Sequence, residues 1–188
     1  DNNGDSEEEL EYDEHVWLSL KNASELCDEI CSSICSIDKD NESTYKSNAG
    51  NYIKELDDLD SQYQEMVDTA KFDTILFGDR FPFRYMVDDY GLNYYAAFAG
   101  CSAETEASFN TIVFLAGKVD ELKLPAILKI EGSDGKIADT ILSNTSEKNQ
   151  KILTMNSLQS VTKEDVENGE NYLNVMAENL EVLKEALN

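Results

Sequence analysis

From Ser43 onward the apolar residues Tyr45, Ala49, Tyr52, Leu56, Leu59, Tyr63 and Met66 recur at steps of 4, 3, 4, 3, 4 and 3. That heptad spacing places them along one seam of a single helix of about 22 residues. With no neighbouring repeats, such a seam is expected to lie across a domain as a strut, the alternative being a paired helix in a dimer. Gly50 weakens the helix locally. Ahead of it, Lys21 to Ile37 has helical periodicity and runs into the polar stretch 38–42. Here Cys27, Cys31 and Cys35 fall one turn apart and interleave with Leu26, Ile30 and Ile34 as one broad apolar stripe. Cysteines on successive turns are poorly placed for a disulfide, so these are expected to act as small buried hydrophobes rather than as a thiolate metal site.

Beyond residue 72 the pattern changes to short apolar runs alternating with amphipathic segments. Thr74–Gly78, Tyr94–Phe98, Ala126–Ile130 and Ile152–Met155 read as strands. Helices are predicted over Phe83–Tyr90, closed by Gly91, over Thr105–Leu122 and Lys136–Asn144, and as one long terminal helix from Lys163. In that last segment Leu173, Met176, Leu180, Leu183 and Leu187 step by 3, 4, 3 and 4, and Thr162 with Asp165 resembles a capping box. Strand–helix–strand alternation with short loops demands parallel pairing through right-handed crossovers. The predicted fold is therefore α/β: a four-stranded parallel sheet flanked by helices, preceded by a long helix and a shorter helical segment.

Charge sharpens this picture. The net charge is −24, and residues 1–71 hold 20 acidic and 5 basic side chains against 19 and 10 in 72–188. Such a surface repels phosphate backbones and anionic headgroups, which argues against nucleic-acid and polybasic membrane binding, and it enriches cations nearby. Residues 1–11 contain one apolar side chain, Leu10, and read as a flexible acidic leader. The chain has no apolar run of 18 residues, and its first residues lack a basic-then-apolar signal pattern, so the protein is either cytosolic or has had a leader removed. Gly-x-Ser-x-Gly, Walker-type and His-Glu-x-x-His motifs are absent. In a parallel sheet, ligands meet the loops at the strand C-termini. This directs attention to Asp79 and Arg80, to Cys101 and Glu104, to Glu131, and to Asn156.

Residues Tyr12-Asp13-Glu14-His15-Val16-Trp17-Leu18-Ser19 are the first of three stretches that resemble one family: they are similar to the Asp-Pro-His-x-Trp-Leu segment of the zinc/manganese-type solute-binding proteins of bacterial ABC importers. Phe83-Arg84-Tyr85 with Tyr90-Gly91-Leu92 is similar to the family's His-x-x-Phe-x-Tyr helix and following Tyr-Gly-Leu, and 102–108 looks like its Ser-Pro-Glu-x-Glu-Pro-Ser. Leu153-Thr154-Met155-Asn156-Ser157-Leu158, followed by Asn168-Gly169-Glu170-Asn171-Tyr172 and a Leu-rich helix, resembles its final strand, loop and closing helix.

The resemblance implies two α/β lobes joined by one rigid helix, with a metal ion in the cleft between them. Residues 12–42 would be the tail of the N-terminal lobe, 43–71 the linking helix and 72–188 the C-terminal lobe. It further implies a zinc or manganese ion as the transported ligand, a membrane permease as partner, and an extracytoplasmic protein that is lipid-anchored in its full-length precursor and is no enzyme. The family's second ligand position is His15, the only histidine in the chain. Its third is Arg80, a permanent cation without a lone pair to donate; either the neighbouring Asp79 substitutes for it or the site has changed its ligand. Its fourth, usually a carboxylate, is Asn156. The segment carrying the family's first histidine precedes residue 12 and has no counterpart here.

Arg80 and Asn156 together remove negative charge from such a site, so an anionic or chelated solute is the alternative cargo. A second alternative is a truncated family member serving as an interaction module, with a homodimer covering its exposed lobe or helix surface. A regulatory phospho-acceptor domain built on Asp79 would need five strands, and the pattern supplies four.

Overall fold

A computed structural model gives the structure of the protein and describes residues 13–100 and 106–188. Four strands, β1 (Thr74–Phe81), β2 (Asn93–Ala99), β3 (Ala126–Ile130) and β4 (Lys151–Met155), form an all-parallel sheet in the order β2-β1-β3-β4. The helices are α1 (Leu20–Ile37), α2 (Glu42–Thr69), α3 (Arg84–Tyr90), α4 (Phe109–Leu122), α5 (Lys136–Asn144), α6 (Lys163–Glu167) and α7 (Tyr172–Ala186). The predicted α/β class and the four-stranded parallel sheet are what the chain adopts.

Alternation along the strands divides the core into two layers. Ile75 and Phe77 of β1 and Leu128 of β3 pack in the layer of α2, α3 and α7, with Leu56, Tyr63, Met86 and Leu183. Leu76 and Ile127, one residue out of phase, pack with Ile112, Leu115, Ala138 and Ile141 of α4 and α5. Helices therefore cover both faces, as parallel sheets require.

One irregularity in β1 shapes everything at its far end. Phe77 pairs with Ala96 of β2 but Arg80 with Phe98, so β1 carries one residue more than its partner across Gly78-Asp79. At the same point α5 presses against the strand: a Cβ on Gly78 would lie 2.6 Å from Ala138 Cα and 2.9 Å from Ala138 Cβ. Gly78 is thus required by close approach of two backbones, and Ala138 is small for the same reason.

At 28 residues α2 is about 42 Å long. The seam splits into two parts: Leu56, Leu59, Tyr63 and Met66 are buried on the lobe, while Tyr45 and Ala49 are only half-covered and Tyr52 is exposed. The Tyr63 hydroxyl donates to the Met176 carbonyl of α7 at 2.6 Å, and its ring stacks on Tyr90 at 5.2 Å. Burial drives both phenols well above the ordinary tyrosine range, aided at Tyr90 by its hydrogen bond to Asp60. Ser19 caps α1 by accepting from the Asn22 amide and donates to Asp89 of α3 at 2.6 Å, tying the two helices together.

Three sequence expectations need correction. The terminal segment is two helices: after the Thr162–Asp165 capping box starts α6, Gly169 turns the backbone at φ 93 and Asn171 caps a new helix by accepting from the Asn174 amide. Helix α4 begins at Phe109 rather than at residue 105 because Ser108 accepts from the Thr111 amide and fixes the start. The apolar stripe of α1 is divided. Cys31 and Cys35 face α2 and are 8% exposed, whereas Leu26, Ile30, Ile34 and Ile37 are 43%, 58%, 41% and 86% exposed. One covering helix shelters only one side of another, and the Leu/Ile line lies about 100° around from the cysteines.

Replacement of Gly78 by Ala is expected to lower unfolding stability by at least about 2 kcal/mol, since neither backbone can withdraw. Urea unfolding of Gly78→Ala beside a Gly50→Ala control, whose Cβ meets nothing within 4 Å, measures it; equal midpoints for Gly78→Ala and the parent would contradict the packing account.

Candidate functional site

The chain leaves β1 toward β2 and returns to the other side for β3, so the topological switch point lies between β1 and β3. A cleft of about 620 Å³ opens there, lined by Asp79, Arg80, Glu131, Ser133, Lys136 and Ser157 among others. The extra residue in β1 explains its floor. Past Phe77 and Leu128 the β1–β3 ladder stops, and the Asp79 carboxylate takes over, accepting from the Arg80 amide at 2.8 Å and the Ile130 amide at 3.4 Å. Asp79 is 8% exposed and its oxygens are committed to backbone donors. The Arg80 side chain projects into the cleft, and its guanidinium has no hydrogen-bond or ion-pair partner among the described residues. Lys136, by contrast, pairs with Asp134 at 2.5 Å, which raises the lysine and lowers the carboxyl from their usual ranges.

Glu131 works as a clasp. Its two oxygens accept from the Ser157 amide and hydroxyl, both at 2.7 Å, and tie the end of β3 to the loop after β4. Asn156 precedes that loop. Its side-chain oxygen accepts from the Leu158 amide at 2.8 Å, and its backbone exchanges two 2.8 Å hydrogen bonds with the Asn179 amide of α7. Leu158 sits at φ 62, a left-handed conformation that costs a branched L-residue of order 1 kcal/mol and is held by these contacts.

His15 is 2% exposed at the start of a 3-10 turn, Val16–Leu18. One Asp13 oxygen accepts from the His15 amide at 2.9 Å and meets Nδ1 at 2.7 Å, while Trp17 packs edge-on at 5.4 Å. A carboxylate accepts only, so Nδ1 carries the proton and Nε2 the lone pair in the neutral ring. The segment is docked by three long-range bonds: Tyr85 Oη to the Asp13 carbonyl, Trp17 Nε1 to the Ser157 carbonyl and Tyr172 Oη to the Trp17 carbonyl.

The fold therefore gathers Asp79, Arg80 and Glu131 along one cleft. His15 and Asn156 do not line it; His15 is joined to its rim through Trp17 and Ser157, Asn156 through the loop it caps. Cys101 and Glu104 lie outside the described residues. Among the described residues no three His, Cys, Asp or Glu side chains converge as a metal-binding group. Gln159, Ser160 and Glu106 also line the cleft; Glu106 falls in the 102–108 stretch of the resemblance, while Gln159 and Ser160 carried no sequence signal beyond their nearness to a strand end. Asn179 had none, being one polar residue on an otherwise apolar helix face.

A compact parallel lobe with a cleft at its switch point, carried on a long helix, is the architecture of a solute-binding α/β lobe. The family model for the periplasmic component A of the zinc-uptake complex matches residues 1–186, and the chain belongs to that family. It is 34% identical over 175 residues to the zinc-binding lipoprotein AdcA of Streptococcus pneumoniae, covering 93% of this chain and 34% of the relative. It is 31% identical over 175 residues to the high-affinity zinc uptake system protein ZnuA of Bacillus subtilis, covering 93% of this chain and 53% of the relative. The crystal structure of the Zn(II)-bound ZnuA-like domain of pneumococcal AdcA superposes with a TM-score of 0.75 at 34% identity, over 94% of this chain and 64% of that one. The chain thus spans between a third and two thirds of the length of the relatives it matches.

Glu131→Ala removes both acceptors for Ser157 and is expected to cost roughly 1–3 kcal/mol. Amide exchange at 157–159 should accelerate by at least tenfold while that of β1 keeps its rate; unaltered exchange at those amides would remove the clasp role.

Proposed function

We propose that this chain belongs to the solute-binding component of an extracytoplasmic ABC importer, capturing zinc, or manganese, between two lobes and handing it to a membrane permease without catalysis. Residues 72–188 act as the C-terminal lobe, α2 as the linking helix and residues 12–42 as the tail of the N-terminal lobe, with lipid anchoring supplied by the full-length precursor. His15 is the ligand of this reading, with Asp79 and Asn156 as companions. The observation that carries it is the Asp13–His15 couple. A carboxylate on Nδ1 that fixes the tautomer and orients the ring is the usual support of a metal-ligating imidazole. Membership in a family whose named relatives are zinc-binding proteins supports the choice of ion.

Calorimetric titration of zinc and manganese into the chelator-stripped chain tests it. Saturable binding is expected, lost in His15→Ala and weakened about 10- to 100-fold in Asp13→Ala. Undiminished binding by His15→Ala, or none by the parent chain, would sink the assignment.

One observation favours a chelated cargo: the Arg80 guanidinium projects into the cleft and has no ion-pair partner among the described residues, in a strongly acidic chain. A carboxylate carried by a metal chelate would supply its partner. Zinc citrate would then bind more tightly than free zinc, and Arg80→Gln would erase that difference; equal affinities in the parent chain would exclude it.

A further inference from the structure

The thiols of Cys31 and Cys35 lie in the seam between α1 and α2, well away from the strand-end cleft, and have no part in the reading above. Their sulfurs are 4.0 Å apart. Each residue is 8% exposed, so the pair is sheltered from bulk solvent yet not sealed. Among the described residues, the Cys35 thiol has one further hydrogen-bond partner besides Cys31, donating to the Glu42 carbonyl at 3.9 Å. With metal–sulfur bonds of about 2.3 Å, sulfurs 4.0 Å apart enclose an ion at an angle of roughly 120°, and a shift of about half an ångström brings the three atoms into line. Among the described residues no third thiol, imidazole or carboxylate converges with the two sulfurs as a metal-binding group, and two soft donors alone cannot complete the four-coordinate shell of zinc or the oxygen shell of manganese. They suit a thiophilic monovalent ion that is content with two ligands.

We propose that Cys31 and Cys35 form a two-thiolate site for a soft monovalent cation of the copper(I) class. Binding breaks two S–H bonds and forms two metal–sulfur bonds. Two protons go to solvent, nothing is oxidised or reduced, and the complex carries one net negative charge. Lys46, ion-paired to Glu42 at 2.6 Å, lies within electrostatic reach of both sulfurs, while the Glu42 carboxylate acts against it at Cys35. Cys27, one further turn away and half-buried, is too distant along the helix to close on the same ion as Cys35. The site is independent of His15, so it stands or falls apart from the zinc reading.

The test is anaerobic competition of the reduced 188-residue chain with bicinchoninate for copper(I). The parent chain is expected to withdraw one equivalent of copper from the chromophoric complex and to show a thiolate-to-copper charge-transfer absorption. Two fewer thiols should then react with Ellman's reagent. Cys31→Ser and Cys35→Ser should each lose at least tenfold in affinity, while Cys27→Ser keeps the parent's affinity. Affinity should also rise with pH, because two protons leave for each ion taken up. Circular dichroism melting of the serine variants separates loss of the site from loss of the fold, and Cys35→Ala gives a second, apolar replacement should serine unfold the seam. Copper left with bicinchoninate by the parent chain, or withdrawn equally by a folded Cys31→Ser, would overturn the proposal.

Discussion

The approach of α5 to β1 at Gly78 and Ala138 governs the geometry at the end of the sheet. Because neither residue has a side chain larger than a methyl group, the helix lies almost on the strand's backbone. Next to that contact β1 takes in an extra residue, the ladder to β3 lapses, and Asp79 substitutes its carboxylate for the missing carbonyl opposite Ile130. Arg80, one position on, is thereby turned into the open cleft instead of lying in the sheet. A side chain at residue 78 would separate the helix from the strand and remove the reason for this local departure from regular pairing.

The strands and most helices were readable because burial enforces period. Both faces of the sheet are covered, so its strands appear as short apolar runs, and α2 shows its heptad because the same side faces α7 and the sheet for several turns. What escaped was set by single hydrogen bonds or by missing partners. Ser108 and Asn171 start helices by capping, which overrides a longer apolar pattern, and Gly169 breaks the terminal helix that the steps of 3 and 4 implied. Ile30 and Ile34 have the periodicity of buried residues yet face outward, since periodicity marks a surface that prefers cover without stating whether cover is present.

The candidate site was legible as loops and only partly as chemistry. That Asp79, Arg80 and Glu131 share a cleft follows from strand order, which the alternation of elements implies. That Asp79 and Glu131 use their charges on neighbouring backbone and hydroxyl donors does not follow from spacing, because it depends on a bulge and on a serine 26 residues away. His15 was conspicuous as the chain's one imidazole; its carboxylate neighbour Asp13 and the docking of Trp17 on Ser157 gave it a fixed orientation that the sequence alone left open.

Helix α7 touches two places that are far apart in the lobe. Near its middle, Asn179 bonds both backbone groups of Asn156 and so behaves as a one-residue strand added to the rim. At its end, the Leu187 carbonyl accepts from Lys71 and Phe72, where the chain passes from α2 into β1. One stiff rod therefore spans from the junction of α2 and β1 to the lip of the cleft, so the loop after β4 is held in register with the point where the long helix hands the chain to the sheet.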